Sequence, residues 1–201
     1  MSALRVETVR GAAIGERLAD VARLRIAVFR DWPYLYDGDA DYEARYLATY
    51  TRSPDSLFVL ALDGERIVGA STGLLLAQEE PAFRAAFESS GFYASRVFYC
   101  GESVLLREYR GRGLGHAFFD AREAHARALG GFTHTAFAAV DRDATDPRRP
   151  ANHVGNDAFW QRRGYVRQPG MAMRLAWKEI GEVQESEKPL TFWLRLSEAA
   201  R

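Results

Sequence analysis

Three glycines that alternate with larger residues mark the segment of this sequence best suited to chemistry. Gly111, Gly113 and Gly115 stand where a predicted strand gives way to a predicted helix. A glycine-rich turn that opens a helix leaves backbone N–H groups free, and the helix dipole adds partial positive charge there. Glycine also lets a ligand approach the main chain closely. With Arg110 and Arg112 able to make charge-assisted hydrogen bonds, the turn predicts an anion site suited to phosphate.

Two common phosphate-binding patterns do not match this turn. A P-loop requires Gly-Lys-Ser/Thr at its end, where this chain has Leu114, Gly115 and His116. The dinucleotide fingerprint requires the spacing G-x-G-x-x-G, whereas the glycines here follow G-x-G-x-G. No suitable acidic residue closes a second strand about 20 positions further on. The turn is therefore expected to bind a different phosphate ligand.

The elements around the turn predict an α/β fold. A strand over 98–106 leads into the turn, a helix over 115–129 follows it, and a strand over 132–140, buried on both faces, comes next. We expect a mixed, largely antiparallel sheet of about seven strands flanked by helices, with one central strand–helix–strand crossover. Further strands are predicted over 5–8, 56–62, 66–76, 171–178 and 190–196, and further helices over 16–30, 42–50, 79–90 and 156–163.

The segment from Glu102 to Gly115 resembles the acetyl-CoA motif of the GNAT superfamily of N-acetyltransferases. The core of that motif is Arg/Gln-x-x-Gly-x-Gly/Ala, which is met here by Arg110, Gly113 and Gly115. A second segment, FWQRRGY over 159–165, is similar to the family's later helix that ends in Gly-Phe/Tyr. The resemblance covers roughly residues 56–178 and implies a GNAT-like fold that transfers an acetyl group from acetyl-CoA to a primary amine.

The resemblance also implies how the cofactor would be held. The backbone of Leu105 and Arg107 would hydrogen-bond the pantetheine arm as if it were an added strand, and a backbone N–H near Leu105 would polarise the thioester carbonyl. The strands over 98–106 and 132–140 would splay apart to admit the cofactor. The N–H groups that would hold the pyrophosphate are those of Arg110, Gly111, Arg112, Gly113, Leu114, Gly115 and His116.

Direct transfer to an amine requires a base, because amines are mostly protonated near pH 7. Glu102 is the first choice, since it precedes the motif at a place where the family often carries a glutamate; the alternative is a structural glutamate paired with an arginine. The family often uses a tyrosine of the later helix as the acid, and Trp160 occupies that position here. Tyr99, Tyr36 or solvent would then protonate the leaving thiolate.

The acceptor is expected beside the early helices. The segment 31–50 combines acidic and aromatic residues, which suit a cationic amine, although the aromatic rings could instead simply cover the sheet. We expect substrate contacts from Tyr34, Tyr36 and Asp37. Arg25 falls within the apolar arc of the first helix, where its head either reaches solvent or a carboxylate, or braces an acidic loop near a pocket.

Composition disfavours several other classes of protein. The 201 residues contain 27 Lys+Arg and 27 Asp+Glu, a balance that argues against nucleic-acid binding by phosphate neutralisation. The single cysteine, Cys100, rules out an intramolecular disulfide, and the four histidines form no metal-binding spacing, so no metal is expected. His134 on a central strand is expected to be packed. No stretch approaches the roughly 18 apolar residues of a membrane span.

We therefore expect one cytoplasmic N-acetyltransferase domain over 1–201. Substrate-side helices would occupy 1–55, an acetyl-CoA-binding core 56–178, and a terminal hairpin strand 179–201. A small-molecule amine is the favoured partner; a protein amine and a homodimer are left open, and neither nucleic acid nor membrane is expected. The alternative is a catalytically weak acyl-CoA-binding sensor or partner subunit on the same fold, which the missing helix tyrosine slightly favours.

Overall fold

Alternating apolar residues along the strands allow helices to cover both faces of one sheet. The computed structural model describes residues 4–197. Its strands are β1 (Leu4–Arg10), β2 (Leu57–Asp63), β3 (Arg66–Leu75), β4 (Val97–Tyr99), β5 (Ser103–Leu105), β6 (His134–Val140), β7 (Val166–Trp177) and β8 (Ser186–Leu196). Its α-helices are α1 (Leu18–Phe29), α2 (Ala40–Thr51), α3 (Pro81–Glu88), α4 (Leu114–Leu129) and α5 (Asp157–Arg162).

The strands lie in the order β1-β2-β3-β4-β6-β8-β7, and β5 also pairs with β3. Within residues 4–197, β4 and β6 form the one parallel pair, and all other neighbours are antiparallel. Helix α4 provides the crossover that leads into β6. The predicted mixed, largely antiparallel sheet with a single central crossover is therefore confirmed, with eight strands instead of about seven.

Strand β2 shows how the sequence divides its apolar side chains between two cores. Residues 57–62 are all fully buried, and successive side chains point to opposite faces. Phe58 and Leu60 pack in the core that also holds buried residues of α1, α2 and α3. Leu57 and Val59 pack in the core that contains Phe118 of α4. The early helices and the crossover helix consequently lie on opposite faces of the sheet.

The continuous strand predicted over 98–106 was wrong, because a β-bulge divides it into β4 and β5. The Gly101 N–H donates to the carbonyl of Thr72 at 3.2 Å, and the Thr72 N–H donates to the carbonyl of Glu102 at 3.1 Å. Two residues on one strand therefore oppose one on the other. A Cβ atom at Gly101 would overlap the hydroxyls of Tyr50 and Thr72, so the bulge requires glycine at this position.

Two further details of the sheet differ from the predictions. The strand predicted over 132–140 begins at His134, and its last three residues, 138–140, are half-buried instead of fully covered. The segment predicted as a terminal hairpin strand supplies β8, which lies inside the sheet between β6 and β7. No helix among residues 4–197 is long and apolar enough to cross a membrane.

Candidate active site

The glycine-rich turn leads from β5 into helix α4 through two left-handed backbone conformations. Gly111 has a φ of 75° and Gly113 a φ of 81°, values that L-residues rarely adopt. Gly113 is the N-cap of α4 and supplies no side-chain hydrogen bond to the helix. The first N–H groups of α4 therefore have no capping side chain, and the positive end of a 16-residue helix is directed at the surface of the turn.

The outer side of this turn is open. A Cβ atom built on Gly111 or Gly113 would meet no protein atom within 4 Å, and one on Gly115 would meet only Cζ of Phe159, at 3.7 Å. No contact within the protein therefore requires glycine at position 115, whose φ is not positive. A group that binds against the main chain would explain it, because a helical glycine costs about 1 kcal/mol relative to alanine.

Three exposed arginines surround the turn, and each already donates one hydrogen bond within the chain. The guanidinium of Arg107 pairs with Asp31 at 3.0 Å. Nε of Arg110 donates to the carbonyl of Leu105 at 3.2 Å, and Nη2 of Arg112 donates to the carbonyl of Glu108 at 2.9 Å. These contacts leave other guanidinium N–H groups able to reach an anion, because each arginine has five.

The bulge opens a wedge between β5 and β6. Strand β4 pairs with β6 through Ala136, and the Cys100 N–H extends the ladder by donating to the Ala136 carbonyl at 2.7 Å. Beyond this point β5 pairs with β3, and β6 continues with β8 beside it. The Leu106 N–H donates to the Val68 carbonyl at 3.0 Å. Since backbone groups alternate along a strand, those of Leu105 point away from β3, into the wedge.

A buried arginine of α4, on the face of the sheet opposite α1 and α2, hydrogen-bonds to the main chain of the bulge. Nη1 of Arg122 donates to the carbonyl of Glu102 at 3.1 Å, and that carbonyl also accepts from the Ser71 hydroxyl at 3.0 Å. The Glu102 N–H donates to Oγ1 of Thr72 at 3.3 Å. These contacts fix the main chain of Glu102, so its side chain is directed to the face that carries α1 and α2.

A cavity of about 90 Å³ lies on that face, next to the bulge. Helices α1 and α2 form one side of it and strands β4, β6, β7 and β8 the other. Aromatic side chains make up much of its lining, including Tyr34 and Tyr36 of the loop between α1 and α2. Its lining comprises Arg25, Phe29, Tyr34, Tyr36, Tyr42, Glu43, Tyr46, Phe83, Tyr99, Gly101, Glu102, Ala138, Met173, Leu175, Ala176, Trp177 and Leu190.

Three charged side chains lie together in this lining. Arg25 is buried between Glu43 and Glu102, with its Nη1 at 2.7 Å from Oε2 of Glu102 and its Nε bonded to Oε2 of Glu43. Burial alone would lower the pKa of Arg25, but the charges of Glu102 and Glu43 raise it well above its usual value. Arg25 is therefore a permanent cation, and it pairs with Glu102 through Oε2 of that carboxylate.

Each of these carboxylates keeps one oxygen without a donor. Oε1 of Glu43 and Oε1 of Glu102 are buried and make no hydrogen bond of standard geometry. The Tyr36 hydroxyl nevertheless lies close enough to Glu43 to lower its pKa, while burial, the largest effect, raises it. An uncompensated buried acceptor costs about 1–3 kcal/mol.

The predicted acceptor contacts are only partly brought together. Tyr34 and Tyr36 line the cavity, whereas Asp37 is not part of the lining and pairs with Lys178 at 3.0 Å, which lowers its pKa. The carboxylate on the helix side of the cavity is that of Glu43, which sequence reasoning missed. Glu43 stands four and seven residues before the buried Leu47 and Tyr50, so a charged residue on the apolar stripe of α2 was the available signal.

The acid–base candidates differ in environment. Tyr99 lines the cavity, and burial raises its pKa well above the usual value, so its hydroxyl stays protonated. Tyr46 donates to Oε2 of Glu102 at 3.4 Å and contacts the Tyr50 hydroxyl at 3.3 Å. Glu79, which sequence reasoning also missed, is 5% exposed, and burial raises its pKa to about 8. It follows β3 in an irregular segment, where no periodic pattern marks it as buried.

Several other candidate residues are accounted for by packing. Trp160 contacts the ring of Phe137, and His134 lies edge-on to Phe92 at 5.2 Å. Cys100 is buried, and burial raises the pKa of its thiol. His116 contacts Arg163 at 3.3 Å beside the glycine turn. Among residues 4–197, no group of three or more His, Cys, Asp or Glu side chains is arranged to hold a metal ion.

Comparison with known proteins adds a sequence family and several similar folds. The profile of the acetyltransferase (GNAT) family matches residues 21–165. An acetyltransferase from Thermus thermophilus is similar with a TM-score of 0.56 and 15% identity, over 98% of this chain and 97% of that one. A Salmonella typhimurium protein solved with its cofactor acetyl-CoA has a TM-score of 0.57 and 11% identity, over 98% and 95%.

The ribosomal-protein-alanine N-acetyltransferase from Brucella melitensis is similar with a TM-score of 0.61 and 12% identity, over 96% of this chain and 99% of that one. No curated protein matches this chain in sequence. At these identities the similar structures establish the shared fold, and the matched profile establishes kinship.

Proposed function

The chain belongs to the acetyltransferase (GNAT) family, and from that premise we propose that it is an acetyl-CoA-dependent N-acetyltransferase that acts on a primary amine by direct transfer. The observation that carries the proposal is the arrangement of two sites around β5. The open glycine turn follows β5 in the chain, and the carboxylate-containing cavity is lined by Gly101 and Glu102 of the bulge that precedes β5. A donor and an acceptor can therefore approach the same strand from different sides.

The residues of the turn fit a diphosphate. The proposed anion site consists of main-chain N–H groups of residues 111–116 at the positive end of α4, with Arg110 and Arg112 exposed beside it. The N–H of Arg110, which the sequence predicted to take part, already donates to the Arg107 carbonyl at 3.1 Å. The open side of Gly111 and Gly113 leaves room for phosphate oxygens near the backbone. These residues would hold the diphosphate of acetyl-CoA, which supplies the activated acetyl group as a thioester when bound.

The wedge would receive the pantetheine arm. Leu105 directs its backbone groups away from β3, as an unpaired strand edge does, and an extended amide chain can pair with such an edge. The Leu105 carbonyl already accepts from Arg110, so we propose that its N–H, together with the backbone of Arg107, makes the new contacts. The fixed main chain of the bulge would then hold the reacting ends in position, which supplies a large part of the rate enhancement.

We propose that Glu102 receives the proton of the acceptor amine. Glu102 lines the cavity. Its Oε1 is buried and has no hydrogen-bond partner, whereas Oε2 is held by Arg25 and Tyr46. A carboxylate anchored through one oxygen presents the other in a defined direction. Tyr99 lines the same cavity and remains protonated, so its hydroxyl is the proposed donor to the departing thiolate.

Thiol release and calorimetry test this function together. The full chain is incubated with acetyl-CoA and a panel of primary amines, free thiol is followed with a chromogenic disulfide, and coenzyme A binding is measured by calorimetry. We expect coenzyme A to bind and thiol to appear only when an amine is present. Binding without thiol release for any amine would favour the catalytically weak acyl-CoA sensor. The absence of coenzyme A binding by folded protein would overturn both.

A further inference from the structure

The charged side chains of the cavity indicate which amines the site accepts. Resting on the proposed function, we infer that the acceptor is a compact primary amine without a carboxylate, and that Glu43 and Glu102 together hold its ammonium group before transfer. The inference depends on charge balance, on two unsatisfied oxygens and on the commitment of the nearby arginines.

The net charge of the lining would be neutralised by one bound cation. Its charged side chains are those of Arg25, Glu43 and Glu102, which sum to −1 when all three are ionised. Arg25 and both carboxylates are almost completely buried, so solvent compensates this charge poorly. A single ammonium group brings the lining to neutrality, whereas a zwitterionic amino acid adds no net charge and an anion makes the imbalance larger.

The hydrogen-bonding pattern points to the same ligand chemistry. The two unpartnered oxygens, Oε1 of Glu43 and Oε1 of Glu102, belong to side chains that flank Arg25. Both are acceptors, so the missing group is a donor. A primary ammonium carries three N–H donors on one atom and can satisfy two acceptors at once. A water molecule could also donate two hydrogen bonds, but it would leave the net charge in place.

A substrate carboxylate finds no uncommitted cation among the described residues that line this cavity. The guanidinium of Arg25 is held by two carboxylates. Arg142, close to the loop that carries Tyr34, donates to the carbonyls of Pro33 and Tyr34 at 2.6 and 3.0 Å and pairs with Glu179. An acceptor with a carboxylate next to its amine would therefore bring that negative charge towards Glu43 or Glu102 without a counterion.

The remaining lining indicates an acceptor with a small apolar body. Rings of Phe29, Phe83 and Trp177 contribute to the walls, and aromatic faces both exclude water from a hydrocarbon group and attract a nearby cation. A volume of about 90 Å³ is below the roughly 300–1,000 Å³ of pockets that enclose drug-sized ligands. The buried part of the acceptor is therefore a few heavy atoms around the amine.

Matched pairs of acceptors test the inference on the unaltered protein. Butylamine is compared with norvaline, and phenethylamine with phenylalanine, each pair differing by one carboxylate. We expect kcat/KM for each amine to exceed that of its amino acid by about 10- to 100-fold, the cost of bringing one carboxylate into the cavity without a partner. Calorimetry with coenzyme A present should show that 1-butanol, which lacks the positive charge, binds more weakly than butylamine.

A variant tests the assignment of the site. Glu43→Gln keeps the shape of the side chain but removes its charge, and Asp41→Asn, on an exposed position of the same helix, is the matched control. We expect Glu43→Gln to raise KM for butylamine about 10- to 100-fold while coenzyme A affinity stays unchanged, and Asp41→Asn to resemble the parent. If Glu43→Gln does not fold, the comparison of matched acceptors on the parent protein decides alone.

The possible failures are distinguishable. Absence of coenzyme A binding refutes the proposed function itself. Coenzyme A binding with faster acetylation of the amino acid in either pair, or with no turnover of any small amine, overturns the inference and leaves the cofactor site standing. Equal KM values for the parent and for folded Glu43→Gln would show that Glu43 does not hold the ammonium group.

Discussion

Substitution of Gly113 separates a ligand-binding role of the glycine turn from a purely structural one. Gly113 has a φ of 81°, and Gly130, at the opposite end of the same helix, has a φ of 75°. A Cβ atom at either position would meet no protein atom within 4 Å. Gly113 is in the left-handed helical region, where any other residue is strained by the backbone alone by about 1–2 kcal/mol, and Gly130, with a ψ of 177°, is in a region that is essentially restricted to glycine and costs at least as much. In a chain of this size that loss lowers Tm by roughly 2–8 °C.

The two positions are expected to differ in cofactor binding. Helix α4 has 16 residues and is about 24 Å long, so a substituent at Gly130 lies far from the turn. In Gly113→Glu the new carboxylate would face the diphosphate. Two like charges about 5 Å apart repel by about 3 kcal/mol at an effective dielectric constant of about 20, which corresponds to about a 100-fold increase in Kd.

Calorimetric titration with coenzyme A and thermal unfolding of each variant provide the measurements. We expect Gly130→Glu to lose at least as much stability as Gly113→Glu, while only Gly113→Glu loses affinity, and less so at high salt. Gly113→Gln carries the strain and bulk without the charge and should fall between parent and Gly113→Glu. Parent-like affinity of Gly113→Glu would refute the diphosphate site, and an equal loss in Gly130→Glu would show that helix destabilisation is the cause.

Three further predictions concern the bulge and the buried carboxylates. Glu102→Gln should lower turnover most at low pH, since at high pH the acceptor amine is already neutral. Asp41→Asn, on an exposed position outside the lining, is the control, and matching pH–rate profiles for parent and Glu102→Gln would move the base elsewhere. Burial raises the pKa of Glu79 from 4.5 to about 8 in the folded protein, so its contribution to stability is full below pH 4.5 and is lost as the pH rises to about 8. Urea unfolding of the parent should therefore show a decline of up to about 5 kcal/mol over that range that Glu79→Gln lacks, whereas parallel curves would contradict the buried proton. Gly101→Ala should destabilise the protein by about 1–3 kcal/mol, because its Cβ would overlap buried hydroxyls. Gly15→Ala is the control, since its Cβ would meet no atom within 4 Å. Equal urea midpoints for these two variants would argue against the overlap.

Features carried by one continuous segment were predictable from the sequence. The glycine turn and helix α4 follow from local spacing, because glycine conformation and helix capping depend on a few neighbouring residues. The hairpin of β2 and β3 follows in the same way from Gly64, which with Glu65 forms the two-residue turn between Asp63 and Arg66. The bulge at Gly101 was not predictable, because it depends on Thr72 of a distant strand and on hydroxyl groups packed against it.

The buried carboxylates show where sequence patterns lose information. Glu79 lies in an irregular segment, and its burial depends on packing between elements that are not adjacent in sequence. Asp37, by contrast, lies in a loop whose acidic and aromatic composition suits an amine, yet its carboxylate is paired with Lys178, which follows β7. Composition shows that a charged side chain is present, whereas only the fold determines which side chain it pairs with.

Arg25 and Glu43 indicate a rule by which part of this site could have been found. Arg25 falls in the apolar arc of α1, and Glu43 stands at helical spacing from the buried Leu47 and Tyr50 of α2. A charge on an apolar stripe must be paired, because the cost of burying it alone is prohibitive. Opposite charges on the apolar stripes of two consecutive helices therefore predict that the helices pack through that pair. Here one arginine faces two carboxylates, and the uncompensated negative charge is what makes the pair a candidate binding site instead of a structural contact.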